Sequence, residues 1–178
     1  MKRLLVVVVL SVLAVPSFAF GQAQTPQPPT PGPEVQKLAY FLGMWKAEGE
    51  FTGGPPAGKF SGAGSCEWFA GGFHAVCRRE GTGPAGKSTE LEILTYDAEA
   101  KAYTRYGINS RGMTLFVKGS LAGDTWTWLW EETTEGKPTT YRITQVQVSP
   151  TYFTFTVDYS VAGGPWIVIE EGKVTKVK

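Results

Sequence analysis

The sequence predicts an all-β fold: an up-and-down antiparallel β-barrel of about eight to ten strands with one short N-terminal helix. Three observations predict it. From Trp45 onward, apolar and polar residues alternate with a period of two in segment after segment, as in half-buried strands. Breaks rich in Gly and Pro recur between these segments, giving about ten strands at spacings of roughly 8–14 residues with tight connections. Only one stretch, Val35–Leu42, has helical spacing. So many strands with so little helix favour closure, which removes exposed edges. A two-sheet sandwich is the alternative architecture.

The N-terminus reads as a targeting segment. Lys2 and Arg3 precede an apolar run, Leu4–Val15, and Pro16 breaks it before a series of small residues. Cleavage after Ala19 or after Ala23 satisfies the small-x-small rule, so residues 1–23 are expected to be a signal peptide. The run is too short for a comfortable membrane span, and no cysteine near the cleavage sites suggests a lipid anchor. Export to the periplasm or the extracellular medium is the expected localisation. Residues 24–33 form a Pro-rich linker that has no means of packing a core, and residues 34–178 form the barrel domain. Without Lys2 and Arg3, 15 basic residues stand against 16 acidic ones, a formal charge of −1. A near-neutral chain with no basic cluster argues against nucleic acid or an anionic membrane as partner. No second apolar stretch is long enough to cross a bilayer, so stable membrane insertion is not expected.

Taken in order, Val35, Leu38, Ala39 and Leu42 fall at i, i+3, i+4 and i+7, one face of a helix of about two turns. Pro33 suits its first position and Gly43 its C-terminal stop. Trp45, Ala47, Gly49 and Phe51 then share one face of a strand whose other face is Lys46, Glu48 and Glu50. Further strands are expected at Lys59–Phe69, Phe73–Gly81, Thr89–Tyr96, Ala102–Asn109 and Met113–Ser120. The last four are Thr125–Glu131, Thr139–Val148, Tyr152–Val161 and Trp166–Val177. Tyr141 and Ile143 follow one phase and Val146 and Val148 the other, which points to a bulge near Gln145.

A helix running into Gly43-Met44-Trp45 at the start of the first strand, followed by a meander, resembles the calycin group, to which the lipocalins belong. Phe41-Leu42-Gly43-Met44-Trp45, Gly71-Gly72-Phe73, and Leu94-Thr95-Tyr96-Asp97 before a Tyr-rich strand are more closely similar to bacterial lipocalin-like families known only as domains of unknown function. The likeness runs from about Val35 to the end. It implies a barrel that holds a small apolar ligand, and it brings no catalytic residue with it. On this placement Trp45 and Trp68 are structural, Trp45 lying beneath a helical plug made by Val35, Leu38, Ala39 and Leu42.

Cys66 and Cys77 are the only cysteines. If Gly71-Gly72 is a two-residue turn, counting outward from Ala70 opposite Phe73 places Cys66 opposite Cys77. An oxidising compartment then invites a disulfide, with buried free thiols as the other reading. This count puts the pair at a hydrogen-bonded site, where the Cα atoms stand farther apart than suits a bridge. The single histidine, His74, is expected on the outer face with Glu67 and Arg78. Small barrels related by the same resemblance include the haem-binding nitrobindins, but their proximal histidine lies late in the chain, where this sequence has none. One histidine also leaves a zinc site short of ligands, so neither metal nor cofactor is expected. Gly81–Ser88 satisfies Gly-x4-Gly-Lys-Ser, yet a phosphate loop needs a helix after it. Thr89–Thr95 reads as a strand instead, so the motif is expected to be a hairpin loop.

Trp126, Trp128 and Trp130 share one face of one strand. Turned inward they fill the barrel or wall a cavity; turned outward they form an aromatic platform able to stack on sugars. Asp158 is expected to be solvated, and Glu170-Glu171 to lie at a strand end. If the barrel holds a ligand, Arg105, Tyr106 and Gln145 are the candidates for its few polar contacts, and the three tryptophans for its walls. The expected function is binding of a small apolar or amphipathic molecule without chemistry. The alternatives are a barrel hydrolase or isomerase using an interior tyrosine, arginine and carboxylate, and a glycan-binding module acting through the tryptophan stripe.

Overall fold

The computed structural model describes residues 29–177; the expected signal peptide and most of the Pro-rich linker lie outside the described residues. A helix α1 (Pro33–Lys37) tightens into a 3₁₀ turn at Leu38–Phe41, and ten strands follow. They are β1 (Gly43–Phe51), β2 (Gly58–Trp68), β3 (Ala75–Gly83), β4 (Gly86–Asp97) and β5 (Ala102–Asn109), then β6 (Thr114–Ala122), β7 (Thr125–Thr134), β8 (Lys137–Ser149), β9 (Tyr152–Val161) and β10 (Ile167–Val177). Each strand pairs antiparallel with its chain neighbours, and β10 returns to pair with β1 from Met44 opposite Val177 to Phe51 opposite Glu170. The result is a closed ten-stranded barrel.

The helix differs from its expected form. Because its second half is 3₁₀, with three residues per turn, the buried side chains are Val35, Leu38 and Phe41. Ala39 is exposed and Leu42 only half-buried. Gly43 then takes φ +108°, a turn that glycine makes without the Cβ penalty, and β1 begins. Phe41 and Leu38 plug the barrel end formed by the β2–β3, β4–β5, β6–β7 and β8–β9 connections. Trp45 sits beneath the plug, donating Nε1–H to the Phe41 carbonyl at 2.7 Å and packing edge-on against Phe153 at 5.5 Å. Tyr40 ties the plug to the rim by donating its hydroxyl to the carbonyls of Ser149 and Tyr152. Ala75, Cys77, Leu94, Tyr103, Val117, Trp126, Trp128 and Ile143 complete the core under it.

The β2–β3 hairpin keeps the expected register, Cys66 opposite Cys77, but not the expected turn. Phe69 N–H donates to the His74 carbonyl, so four residues, Ala70 to Phe73, form the loop. Moving the closing hydrogen-bonded pair outward by one residue exchanges hydrogen-bonded and non-hydrogen-bonded sites along the whole ladder. Cys66 and Cys77 therefore occupy the close-approach kind of site, with Cα atoms 4.0 Å apart, and they are joined as a disulfide. The expected bulge near Gln145 is also corrected. Thr139, Tyr141, Ile143, Gln145 and Gln147 alternate inward without interruption, and Val146 and Val148 are simply exposed on the outer face. The register shifts lie between Gln147 and Ser149 and between Val168 and Glu170. Gly81–Ser88 forms the end of β3, a Pro84-Ala85 turn and the start of β4, with Gly83 paired to Gly86. Strands flank it on both sides.

Candidate functional site

The barrel is filled at the plugged end and open at the other. Phe51, Phe60, Trp130, Tyr141, Val157 and Tyr159 all alternate onto the inner face near the open end, yet each keeps part of its surface accessible. Residues on the inner face of a closed barrel reach solvent only through the lumen, so this half contains free space. Its wall is largely aromatic: Trp130 stacks on Tyr141 at 5.0 Å, Tyr141 neighbours Tyr159 at 5.9 Å, and Phe51 packs on Phe60 at 5.0 Å.

Between the filled and open halves lies a charged layer that the strand pattern builds from five inward positions. Arg79 comes from β3, Glu90 and Glu92 from β4, Arg105 from β5 and Glu170 from β10. Glu92 is buried and bridges both arginines, with Arg105 Nε donating to it at 2.8 Å. Two glycines make room for this. Gly64 stands opposite Arg79 and Gly107 opposite Glu92, so each long side chain lies flat across a position with no Cβ. A Cβ at Gly64 would meet Arg79 Cγ at 2.5 Å. Arg79 is ringed by protein yet 39% of its side chain is accessible, which again marks open lumen beside it, and its Nε has no partner. Burial pushes the pKa of both arginines down to about 10, Arg105 adding to the effect on Arg79; both remain charged at neutral pH. Burial, reinforced by the negative charge of Glu90, pushes the Glu170 carboxyl up to about 7 against the opposing pull of the two arginines.

The residues singled out in the sequence are distributed as follows. Arg105 faces inward and belongs to the charged layer. Trp128 is fully buried on the inner face, with Arg105 6.0 Å from its ring centroid, and donates Nε1–H to Gln145 Oε1 at 2.8 Å. Gln145 thus faces inward but is already engaged. Trp126 is also fully buried, stacked on Trp128 and held against Phe41 at 5.1 Å; it belongs to the filled core. Trp130 lines the open half. The stripe faces inward throughout, so it does not form an exposed platform. Tyr106 lies on the outer face at 43% exposure and does not line the lumen. Trp45 and Trp68 both point inward, Trp45 buried and Trp68 half-buried against the core.

Arg79, Glu90, Glu92 and Glu170 were not among the expected site residues. In β4 the glutamates alternate with Leu91 and Ile93, and hydropathy alone turns the aliphatic residues inward. The structure does the reverse, and leaves Ile93 exposed. Hairpin arithmetic carries the missing signal. A Pro84-Ala85 turn sets Glu92 opposite Cys77, which shares the face of Trp68. Glu170-Glu171 lies inside β10, just past its bulge, rather than at a strand end.

On the outer face, Asp158 is buried at 5% instead of solvated. Arg142 pairs with it through two hydrogen bonds of 2.8 and 2.9 Å, and Trp166 covers the guanidinium at 4.0 Å. His74 is half-buried beside the β2–β3 loop, its Nδ1 without a partner among the described residues. A concavity of about 980 Å³ lies mainly on the outer face of β9, β10, β1 and β2, lined by residues such as Glu48, Lys59, Thr154 and Lys173. It is separate from the charged layer. Among the described residues no group of His, Cys, Asp and Glu is arranged to hold a metal ion, and no helix is long and apolar enough to cross a membrane.

A family model described as "Protein of unknown function (DUF1579)" matches residues 30–176. No curated protein matches the chain. Among solved structures, the crystal structure of Rv2717c from M. tuberculosis is similar, with a TM-score of 0.58 and 14% identity, covering 83% of this chain and 99% of that one. At that identity the likeness speaks for the fold alone.

Proposed function

The chain belongs to the DUF1579 family of proteins of unknown function, and from that premise we propose that it is an exported, lipocalin-like barrel that binds a small amphipathic molecule in its lumen. The observation that carries this reading is the half-filled interior: aromatic side chains that face inward yet stay accessible, above a layer of charged groups. An apolar body fits the Phe51, Phe60, Trp130 and Tyr159 wall, and a polar end fits the charged layer. Pockets of this make-up, mostly apolar with a few convergent polar groups, are the usual form of small-molecule sites. Export is supported by the leader-like N-terminal sequence, and the disulfide and the lack of a membrane-spanning helix among the described residues are compatible with it. Native mass spectrometry of the protein purified from its own host tests the reading. A retained small molecule, lost on denaturation, is the expected result. Protein that carries nothing and binds no member of an amphiphile panel overturns it.

One observation favours a second reading, a hydrolase or isomerase. Glu170, in the lumen beside Glu90 and Arg105, has a carboxyl pushed up to about 7, where a group exchanges protons readily at neutral pH. Turnover of an ester or ketone panel that follows a pKa near 7, and disappears in Glu170→Gln, would establish this alternative; no turnover leaves binding as the function.

A further inference from the structure

We propose that the lumen selects an amphiphile whose head group is cationic, a protonated amine or similar organic cation, seated between Glu90 and Glu170. This rests on the lumen-binding reading above and specifies the chemistry of its ligand.

The charges around the lumen carry the inference. In the middle of the barrel, β3 supplies Arg79, β4 supplies Glu90 and Glu92, β5 supplies Arg105 and β10 supplies Glu170. The inward positions of β1, β2, β6 and β9 carry no charge, and the one charge at an inward position of β8, Lys137, lies exposed at the open rim. Two further inward charges are engaged elsewhere: Lys176 lies over the Trp45 ring at 5.0 Å beneath the plug, and Glu132 accepts from Trp130 Nε1. In the central layer both arginines are committed to Glu92. Glu90 and Glu170 have no ion-pair partner among the described residues, and each is only half-buried. The two unpaired carboxylates face the lumen, and the charge of Glu90 is close enough to raise the cost of charging Glu170. An entering anion would meet a layer in which three carboxylates, Glu90, Glu92 and Glu170, outnumber the two arginines. An entering cation would relieve the excess negative charge and donate charge-assisted hydrogen bonds to both acids. The wall adds to this preference. Phe51 is the cross-strand partner of Glu170 with Phe60 packed on it, and aromatic faces attract organic cations.

Three probes with the same chain and different head groups test the proposal: decylammonium, decanol and decanoate, each titrated at pH 7 below its aggregation concentration. Binding is followed by isothermal calorimetry and by quenching of tryptophan fluorescence. Decylammonium is expected to bind on the order of tenfold more tightly than decanol, and decanoate more weakly than decanol. The Glu90→Gln/Glu170→Gln protein, with its fold verified by circular dichroism, should lose the preference, binding decylammonium no more tightly than it binds decanol. Glu170→Gln alone should lose part of it, which keeps the test sound should the double variant fail to fold. Decanoate binding as tightly as decylammonium overturns the proposal, as does an unchanged ammonium preference in either variant, while the lumen-binding reading survives both outcomes. If none of the three probes binds, the lumen-binding reading falls and this inference falls with it.

Discussion

Truncating Trp45 to alanine tests the architecture at its centre. The indole is 7% exposed, donates to the Phe41 carbonyl at 2.7 Å and packs on Phe153 at 5.5 Å and Tyr40 at 5.9 Å. A buried tryptophan of this kind removes about 200 Å² from water, worth about 5 kcal/mol at roughly 25 cal/mol per Å². Partial collapse of the site recovers some of this, which is why measured tryptophan truncations in cores cost about 3–5 kcal/mol. The Phe41 carbonyl also loses its donor, about 1 kcal/mol where water fails to replace it. The expected destabilisation of Trp45→Ala is therefore about 4 kcal/mol. In urea, with a slope of about 2 kcal/mol/M, the unfolding midpoint should fall by about 2 M. Trp45→Phe keeps a ring but not the donor and should fall by roughly half as much. A loss below about 1 kcal/mol for the alanine variant would refute the placement of Trp45 as the floor of the helical plug.

Three further outcomes follow from the charged layer and the disulfide. The Glu170 carboxyl has its folded pKa raised from 4.5 to about 7, so the folded state holds more protons than the unfolded one between those values. Stability should therefore fall as pH rises from about 4.5 to about 7, a loss on the order of 2–3 kcal/mol. Melting temperature against pH should show this slope, and Glu170→Gln should flatten it and raise stability at pH 8. Gly64→Ala would drive a methyl into Arg79 Cγ and the Arg78 carbonyl, each 2.5 Å away. It should cost about 1–3 kcal/mol by overpacking, and a structure of the variant should show Arg79 displaced from Glu92; an unmoved Arg79 sinks the claim that Gly64 makes its berth. Cys66→Ser/Cys77→Ser opens a link across 11 residues and should cost about 2–3 kcal/mol. Chemical unfolding of the reduced and oxidised protein provides the comparison, and equal stability of the two would contradict it.

Much of the barrel was legible because local geometry is read directly from local sequence. A period of two assigns residues to faces, Gly and Pro punctuation marks turns, and the sum of paired residue numbers is constant along a hairpin. That arithmetic placed Cys66 opposite Cys77 and survived the change from a two-residue to a four-residue turn. It did not survive as a statement about hydrogen bonding, since that depends on which pair closes the loop. The helix was legible as an element but not as a plug face, because its tightening to 3₁₀ exchanged Ala39 for Phe41.

The sequence by itself determined which residues share a strand face and the glycine–tryptophan start of β1, and it offered the Cys66–Cys77 register on the condition of a turn at Gly71-Gly72. Only the tertiary structure decided which face of each strand points inward. Alternation is symmetric: exchanging inside for outside leaves the pattern Glu90-Leu91-Glu92-Ile93 unchanged, and hydropathy favours the wrong answer there. Closing the sheet breaks that symmetry for all ten strands together, because each cross-strand partner must share a face with its neighbour. The same closure brings Glu170 of β10 within reach of Glu90, Arg79 and Arg105 of β3–β5, about 65 to 90 residues away along the chain. Long-range electrostatics of that kind leave no trace in local sequence, and they are what make the lumen a site.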